Sequence, residues 1–339
     1  MTDADIVYLT RDPINAETPL DRQTGTITPA RRHYVRDHFA IPDPPAQLVI
    51  DGAVRDTLRL GIDDIRALPR RSLVVTLECA GNGRAFLDPP APGEQWRLGA
   101  VGTAEWTGAP LRTVLEIAGP LASAREVLFV GADAGTPKGM DRRISFERSL
   151  PLADALRDDV LLAYAMNGDD LPREHGAPLR LVVPGWYGMA SVKWLAAIHV
   201  IEEGFAGFFQ KERYVIGERP LREIAPRAVI TSPLDGERLP VKPFAIRGYA
   251  WSGAAELARV ELSTDGGRGW TDATLGPAPS RYAWREWQKM IAPSKSATLD
   301  LLARAVAHDG ATQPLEPVRN ELGYMNNAAR PVRVVIDRA

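Results

Sequence analysis

The texture of the sequence changes once, after the dipeptide Arg219-Pro220, and that change constrains the fold more than any other feature. From about Ala228 onward the chain is a run of short alternating segments, among them FAIRGYAWSG, LARVELSTDGGRGWTDA, YAWREWQKM and PVRVVIDR, with turn residues at close spacing. Alternation of that kind specifies a β-sandwich of immunoglobulin type. The DGG of LSTDGGRGW places glycines where a hairpin turn needs them. Before the change the patterns are mixed. LVIDGAV reads as a strand, IDDIRALP as a short helix with an acidic start and a Pro finish, and VLFVGADAG as a strand running into a Gly-rich loop. LPLADAL followed by LLAYAMNG reads as a helix and a strand, and RLVVPGWYGMASVKWLAAIHVIE as a strand, a Gly-rich loop and an apolar strand. The expected fold class is therefore α+β: a mixed α/β domain over residues 1–225 followed by an all-β, immunoglobulin-like sandwich over 226–339, two domains being the ordinary partition for 339 residues.

With 45% hydrophobic and 25% charged residues the chain can bury a core without covalent staples. A formal charge of -2 gives no overall attraction for nucleic acid or an anionic membrane, so any anion must be bound by local cations. No apolar run reaches the roughly 20 residues that cross a bilayer. The opening MTDADIVYLTRDP has neither an apolar signal core nor a twin-arginine pair, which favours a cytoplasmic location, with a periplasmic one left for a processed precursor. One cysteine, Cys79, rules out an internal disulfide and any multi-thiolate zinc or iron-sulfur site. No CxxCH and no GxGxxG opening a helix is present, so haem, flavin and dinucleotide domains are not expected.

Cys79 stands where the apolar, β-branched stretch Leu73 to Leu77 meets the loop AGNG. By position alone it is a small buried hydrophobe, a metal ligand, or a nucleophile served by one of the five histidines. Its neighbourhood separates these readings. LECAGNGR, residues 77 to 84, resembles the cysteine loop of the sulfite oxidase and assimilatory nitrate reductase family, in which the thiolate binds molybdenum. A soft thiolate suits a metal that also takes the two sulfurs of a pterin dithiolene and cycles between oxidation states. YVRDH at 34 to 38, the GAD ending at Asp133, REHGAPLR with His175 and Arg180, and SVKWL beginning at Ser191 are similar to further family motifs and fall in family order. Asp37 stands where Asn is usual. LSTDGGRGW resembles a hairpin of the family's dimerisation domain, so the resemblance spans nearly the whole chain.

The resemblance implies a molybdenum-molybdopterin cofactor held by Tyr34, Arg36, His38, Cys79, Asp133, His175, Arg180, Ser191, Val192 and Lys193, with Cys79 as the protein's metal ligand. It implies a substrate side made by Arg36, Arg84, Trp96 and Tyr214 beside Cys79, oxidation of sulfite to sulfate, a homodimer, and a separate electron acceptor such as a cytochrome. Several of these residues also have plain structural readings. Arg180 can point to solvent from the strand PLRLVV, His175 can be a turn residue, Lys193 can snorkel from an apolar strand, and Tyr214 can be an ordinary interface side chain.

Two departures bear on substrate. In VRNELGYMNNA, Leu322 occupies the place of a substrate-binding arginine, and Gly83 stands where a second arginine is common. Loss of one charge-assisted hydrogen bond from a small anion pocket costs roughly 1.5 to 3 kcal/mol, or about one to two decades of affinity. Weak sulfite binding, a nitrate reductase-like or other oxygen-transfer substrate, and a non-catalytic cofactor-binding protein are the readings this leaves open.

Overall fold

The computed structural model describes residues 6–337, so the extreme ends of the two predicted spans, and the first five residues of the segment read for a leader, lie outside the described residues. The mixed region is richer in strands than its pattern suggests. A small antiparallel sheet of Val7–Arg11, Ile14–Glu17 and Val35–Arg36 makes the entering arm. Two five-stranded sheets follow. In one, Asp169–Asp170, Leu161–Met166, Val101–Pro110 and Arg71–Glu78 lie side by side, with Arg180–Val182 also paired to Leu161–Met166. In the other the order is Leu58–Leu60, Leu48–Gly52, Leu195–Ile201, Glu126–Gly135, Ile144–Pro151, and only the pair Leu48–Gly52 with Leu195–Ile201 is parallel.

Helices are few and short. Ile62–Arg66 and Leu152–Ala155 form where the sequence predicts them. Leu111–Ala118 was not foreseen, although Leu111, Val114, Leu115 and Ala118 repeat at helical spacing and are all buried, and Gly119 closes the helix in the left-handed region. The sequence expectation for VLFVGADAG also needs correction. The strand continues to Gly135 instead of giving way to a loop, and its pairing with Ile144–Pro151 slips between Val130 and Ala134. Such a bulge re-aims side chains, and Asp133 lies in it.

From Arg227 the chain forms two sheets. One is Arg227–Ser232, Phe244–Trp251, Arg285–Ile291, Thr274–Leu275; the other is Arg238–Pro240, Val332–Asp337, Ala297–Ala307, Leu257–Ser263, Thr271–Asp272. Ala228, Ile246 and Trp287 of the first pack against Val260, Leu301 and Val334 of the second, which makes the sandwich. The DGG hairpin forms as read, with Gly266 and Gly267 at φ +73° and +93° and Asp265 Oδ1 accepting from the N–H groups of Arg268 and Gly269. Val229, Tyr249, Trp251 and Trp284 of the sandwich belong to the same apolar cluster as the core of the preceding sheets, so the two regions share a dry seam.

Candidate active site

Cys79 ends a strand that is fixed along its whole length. Every residue of Arg71–Glu78 pairs with the strand Val101–Pro110, and the N–H of Cys79 donates to Ala100 O at 2.9 Å. The chain then turns tightly, with the N–H of Asn82 donating to Cys79 O at 2.9 Å. Gly83 sits at φ +87°, where a Cβ would meet Asn326 O at 2.7 Å. An arginine at this position is thus excluded by backbone geometry and by close approach of the second domain.

That second domain clamps the loop. Glu78 is wholly buried; its carboxylate accepts from Asn82 Nδ2 at 2.9 Å and from Trp251 Nε1 at 2.8 Å, and Arg227 Nε lies 3.2 Å from Oε1. Arg227 also donates to the carbonyls of Asn82 and Asn326, and Asn326 Nδ2 donates back to Gly83 O at 2.8 Å. A buried ion pair tied into backbone carbonyls on both sides of the seam fixes geometry more than it adds stability.

Cys79 opens into a cavity with about 650 Å³ of empty space, counting its mouth. Tyr34, Arg36, His38, Asp133, His175, Arg180, Ser191, Lys193 and Tyr214 share its wall with Cys79. These ten come from six separate stretches of sequence. Arg180 does not point to solvent: it is 5% exposed, its NH1 and NH2 donate to the carbonyls of His175 and Ser191 at 3.0 Å, and its guanidinium lies over Trp106. His175 occupies a turn, as its plain reading had it, yet it is 2% exposed and donates from Nε2 to Ala30 O at 2.9 Å. Lys193 is neither snorkelling nor in a strand. The strand begins at Leu195, Trp194 has φ +47°, and the ammonium is ion-paired with buried Asp37 and donates to Glu174 O at 2.9 Å. Tyr214, also at positive φ, is buried and faces the cavity.

Three predicted residues do not reach the cavity wall among the described residues. Arg84 is turned away, donating to Glu94 O at 2.8 Å and to Leu322 O at 3.1 Å, with its guanidinium 5.1 Å from the centre of the Tyr324 ring. Trp96 is completely buried in the apolar cluster that contains Cys79 and Tyr34, so it backs the pocket without forming its surface. Val192 is also completely buried, and its carbonyl accepts from Leu181 N–H at 2.8 Å to hold the neighbouring strand.

The electrostatics are dominated by burial. Desolvation pushes the Cys79 thiol up against the opposing pull of Arg36, the Gly81 N–H and Arg84. It presses Arg180 down to about 10 and lowers Lys193 against the attraction of Asp37. It raises Asp133 to about 7. His38 is held well below its ordinary value by burial and by the charges of Arg36, Lys193 and Arg213. It is therefore neutral. Its Nδ1 accepts from Arg36 NH2 at 3.2 Å, which leaves the proton on Nε2 to be donated to the Tyr214 hydroxyl oxygen at 2.6 Å. The phenolic proton of Tyr214 is then free for a ligand.

Among the described residues no three His, Cys, Asp or Glu side chains gather to hold an ion. A metal at Cys79 must arrive with most of its ligands. The rest of the wall fits such a group. His33, a residue of the wall, donates from Nδ1 to Tyr34 O at 3.2 Å and has a buried Nε2 beside Gly102 with no hydrogen-bond partner, an acceptor that a small shift of the ring offers to a heterocyclic N–H. Arg36 and Arg180, which have no carboxylate partner among the described residues, leave the wall with positive charge for two anionic groups, Arg180 for an anionic tail and Arg36 for a substrate anion. A molybdenum pterin with its dithiolene and phosphate meets all three demands.

Sequence reasoning missed His33, Glu78, Arg227, Asn326 and Tyr324. His33 directly precedes the quoted YVRDH, and Glu78 is a charged residue inside an apolar strand end, a visible anomaly. Arg227, Asn326 and Tyr324 carried no local signal, because their partners are more than a hundred residues away or across the domain seam.

The comparisons with known proteins agree with this geometry. Residues 38–209 match the family described as the oxidoreductase molybdopterin binding domain, and 218–337 match the Mo-co oxidoreductase dimerisation domain. The chain is similar to mitochondrial sulfite oxidase of Homo sapiens, 37% identical over 96% of this chain and 64% of that protein. It is similar to sulfite oxidase of Arabidopsis thaliana, 33% identical over 94% of this chain and 91% of that one. It also resembles nitrate reductase [NADH] 2 of Phaseolus vulgaris, 32% identical over 96% of this chain and 41% of that protein. The chain thus spans somewhat under two thirds of the mammalian relatives it matches. Among solved structures, the sulfane dehydrogenase SoxCD from Paracoccus pantotrophus superposes with a TM-score of 0.83 at 29% identity, covering 96% of this chain and 85% of that one.

Proposed function

Because the chain belongs to the sulfite oxidase family of molybdopterin-dependent oxidoreductases, we propose that it oxidises sulfite to sulfate and passes the electrons to a separate redox protein such as a cytochrome. The observation that carries this is the single buried thiol at the wall of a cation-rich cavity in which no second protein ligand is needed. When bound, the molybdenum centre supplies oxygen-atom transfer and accepts two electrons. Cys79 holds it from the end of a rigid strand. Arg180 and Lys193 hold the phosphate, and His33, His175 and Asp133 meet the pterin ring. Arg36 attracts the anion and, through neutral His38, fixes the hydroxyl of Tyr214 so that its free proton points to substrate. A homodimer forms through the sandwich domain.

The test is sulfite-dependent reduction of ferricyanide by protein with stoichiometric molybdenum, run over a wide range of sulfite. Turnover that saturates, and that vanishes in Cys79→Ser while pterin is retained, is the expected result. Unchanged turnover in Cys79→Ser would sink the ligand role, and no turnover at high sulfite would remove sulfite as substrate.

A second reading is favoured by Leu322 and by the aromatic pair beside it. Tyr324 stacks on Tyr214 with ring centres 5.2 Å apart, so the substrate side offers aromatic surface where the family pattern offers a cation. A reduced sulfur compound bulkier and less charged than sulfite, of the sulfane class named for the superposable Paracoccus enzyme, fits that surface.

A further inference from the structure

A second cavity, also with about 650 Å³ of empty space, adjoins the first region through Arg148. Arg148 lies on the strand Ile144–Pro151, is 1% exposed, and its guanidinium stands 5.9 Å from the centre of the Tyr214 ring. Its NH1 donates to Phe209 O, while its Nε is buried with no partner. No carboxylate pairs with it among the described residues. An arginine removed from water without a counter-ion is strongly disfavoured unless something else neutralises it. The fold therefore maintains a charge whose partner is not part of the chain.

The walls around it show what that partner is. Lys211 and Arg222 reach the same cavity from the surface, and Arg222 has only a loose contact, 3.7 Å, with Asp154. Gln210 also lines the cavity, and its buried, unpartnered carbonyl oxygen is an acceptor that offers an anion nothing, so the cations alone carry the attraction. The one carboxylate present, Glu126, is already engaged: its Oε2 accepts from Ser149 Oγ at 2.7 Å and from Phe205 N–H at 3.0 Å. Three cations against one bonded carboxylate leave an excess of positive charge in a concave, solvent-connected space.

We infer that this cavity is a second oxyanion site, which takes a tetrahedral dianion of the sulfate or phosphate type, with Arg148 as its buried anchor and Lys211 and Arg222 at its mouth. The site is distinct from the cofactor pocket, whose wall does not include Arg148. The inference is independent of whether sulfite is the substrate. A dianion there faces the ring of Tyr214 through one guanidinium, so its occupancy communicates with the substrate side by a single side chain.

Calorimetric titration of the molybdenum-loaded protein with sulfate, and separately with phosphate, tests it. One binding event is expected to weaken by about tenfold or more in Arg148→Met, since a buried charged donor is lost. The same event weakens severalfold in Lys211→Ala, an exposed change that leaves the fold intact and carries the test if the buried variant does not fold. Tighter binding of sulfate identifies the product of sulfite oxidation as the occupant; tighter binding of phosphate identifies a cellular phosphate. Isotherms of Lys211→Ala that superpose on those of the unmodified protein, or uptake of no anion beyond one at the molybdenum site, would overturn the inference.

Discussion

The two sides of the main cavity are built to different densities of charge. On the cofactor side, Arg180, Lys193 with Asp37, His175, His33 and Asp133 converge from four stretches of chain, and nearly every polar atom has a partner or an evident use. Behind the wall at Tyr214, where none of the four residues lines the cavity itself, Leu322 is apolar, Gly83 cannot become larger, Arg84 is tied to two carbonyls, and Tyr324 stacks on Tyr214. The comparison teaches that holding the cofactor and reading the substrate are separable tasks here. The first keeps the family pattern and the second departs from it. The departure comes from the loop 320–327 of the second domain, whereas the cofactor side is made wholly by the first.

The clearest way to break this division is to cut the clamp between the domains. Glu78→Ala leaves Arg227 without its ion partner and strips acceptors from Asn82 and Trp251, all in a dry seam. Breaking one member of a buried pair costs about 3 to 5 kcal/mol. The expected outcome is a loss of that size in urea unfolding together with poor molybdenum retention, because the cysteine loop is released. Glu78→Gln, which keeps the shape and part of the bonding, falls between. Full stability and full molybdenum content in Glu78→Ala would show that the loop is held by the first domain alone.

A smaller effect comes from pH and belongs to the cofactor side. Burial holds His33 at about 4 against an ordinary 6.5. Between those values the unfolded chain binds more protons than the folded one, so stability is complete above pH 6.5 and is lost as pH falls toward 4. For His33 alone the loss approaches about 3 kcal/mol. His38 and His175, also held well below their usual value by burial, act in the same direction. Asp133, raised to about 7 by burial, opposes them: its contribution is present at low pH and lost as pH rises from its unfolded value toward 7. Glu17, Asp37 and Glu147, also raised by burial, act with Asp133, so the reading is a difference: between pH 7 and 5 the unfolding midpoint of His33→Gln is expected to move less toward acid destabilisation than that of the unmodified protein. An equal slope in the two proteins would mean that His33 is not the buried neutral base described here.

How much of this was legible in the sequence follows the same division. Motifs on contiguous stretches, such as YVRDH and REHGAPLR, could be read because each presents its chemistry within a few residues. The bulge that aims Asp133 was misread as a loop, since glycines and a small acidic residue signal both. Arg84 and Trp96 were placed by spacing, which cannot tell whether a guanidinium faces a cavity or two backbone carbonyls. The clamp of Glu78, Arg227 and Asn326 depends on contacts between residues up to 243 positions apart, and only folding brings them together.

The finest test returns one charge to the substrate side. Leu322 is partly buried against the core, and its carbonyl accepts from Arg84 Nε at 3.1 Å, a bond that a new side chain at 322 leaves in place. If the missing arginine is what limits an oxyanion, Leu322→Arg adds a charge-assisted bond of roughly 1.5 to 3 kcal/mol, and KM for sulfite falls by about one to two decades with little change in kcat. The cofactor side, which shares no element with this loop, keeps its molybdenum and its acid sensitivity unaltered. A KM that does not move would point instead to Tyr324 as the group that shapes the pocket. The comparison between the two sides would then concern aromatic surface as much as charge.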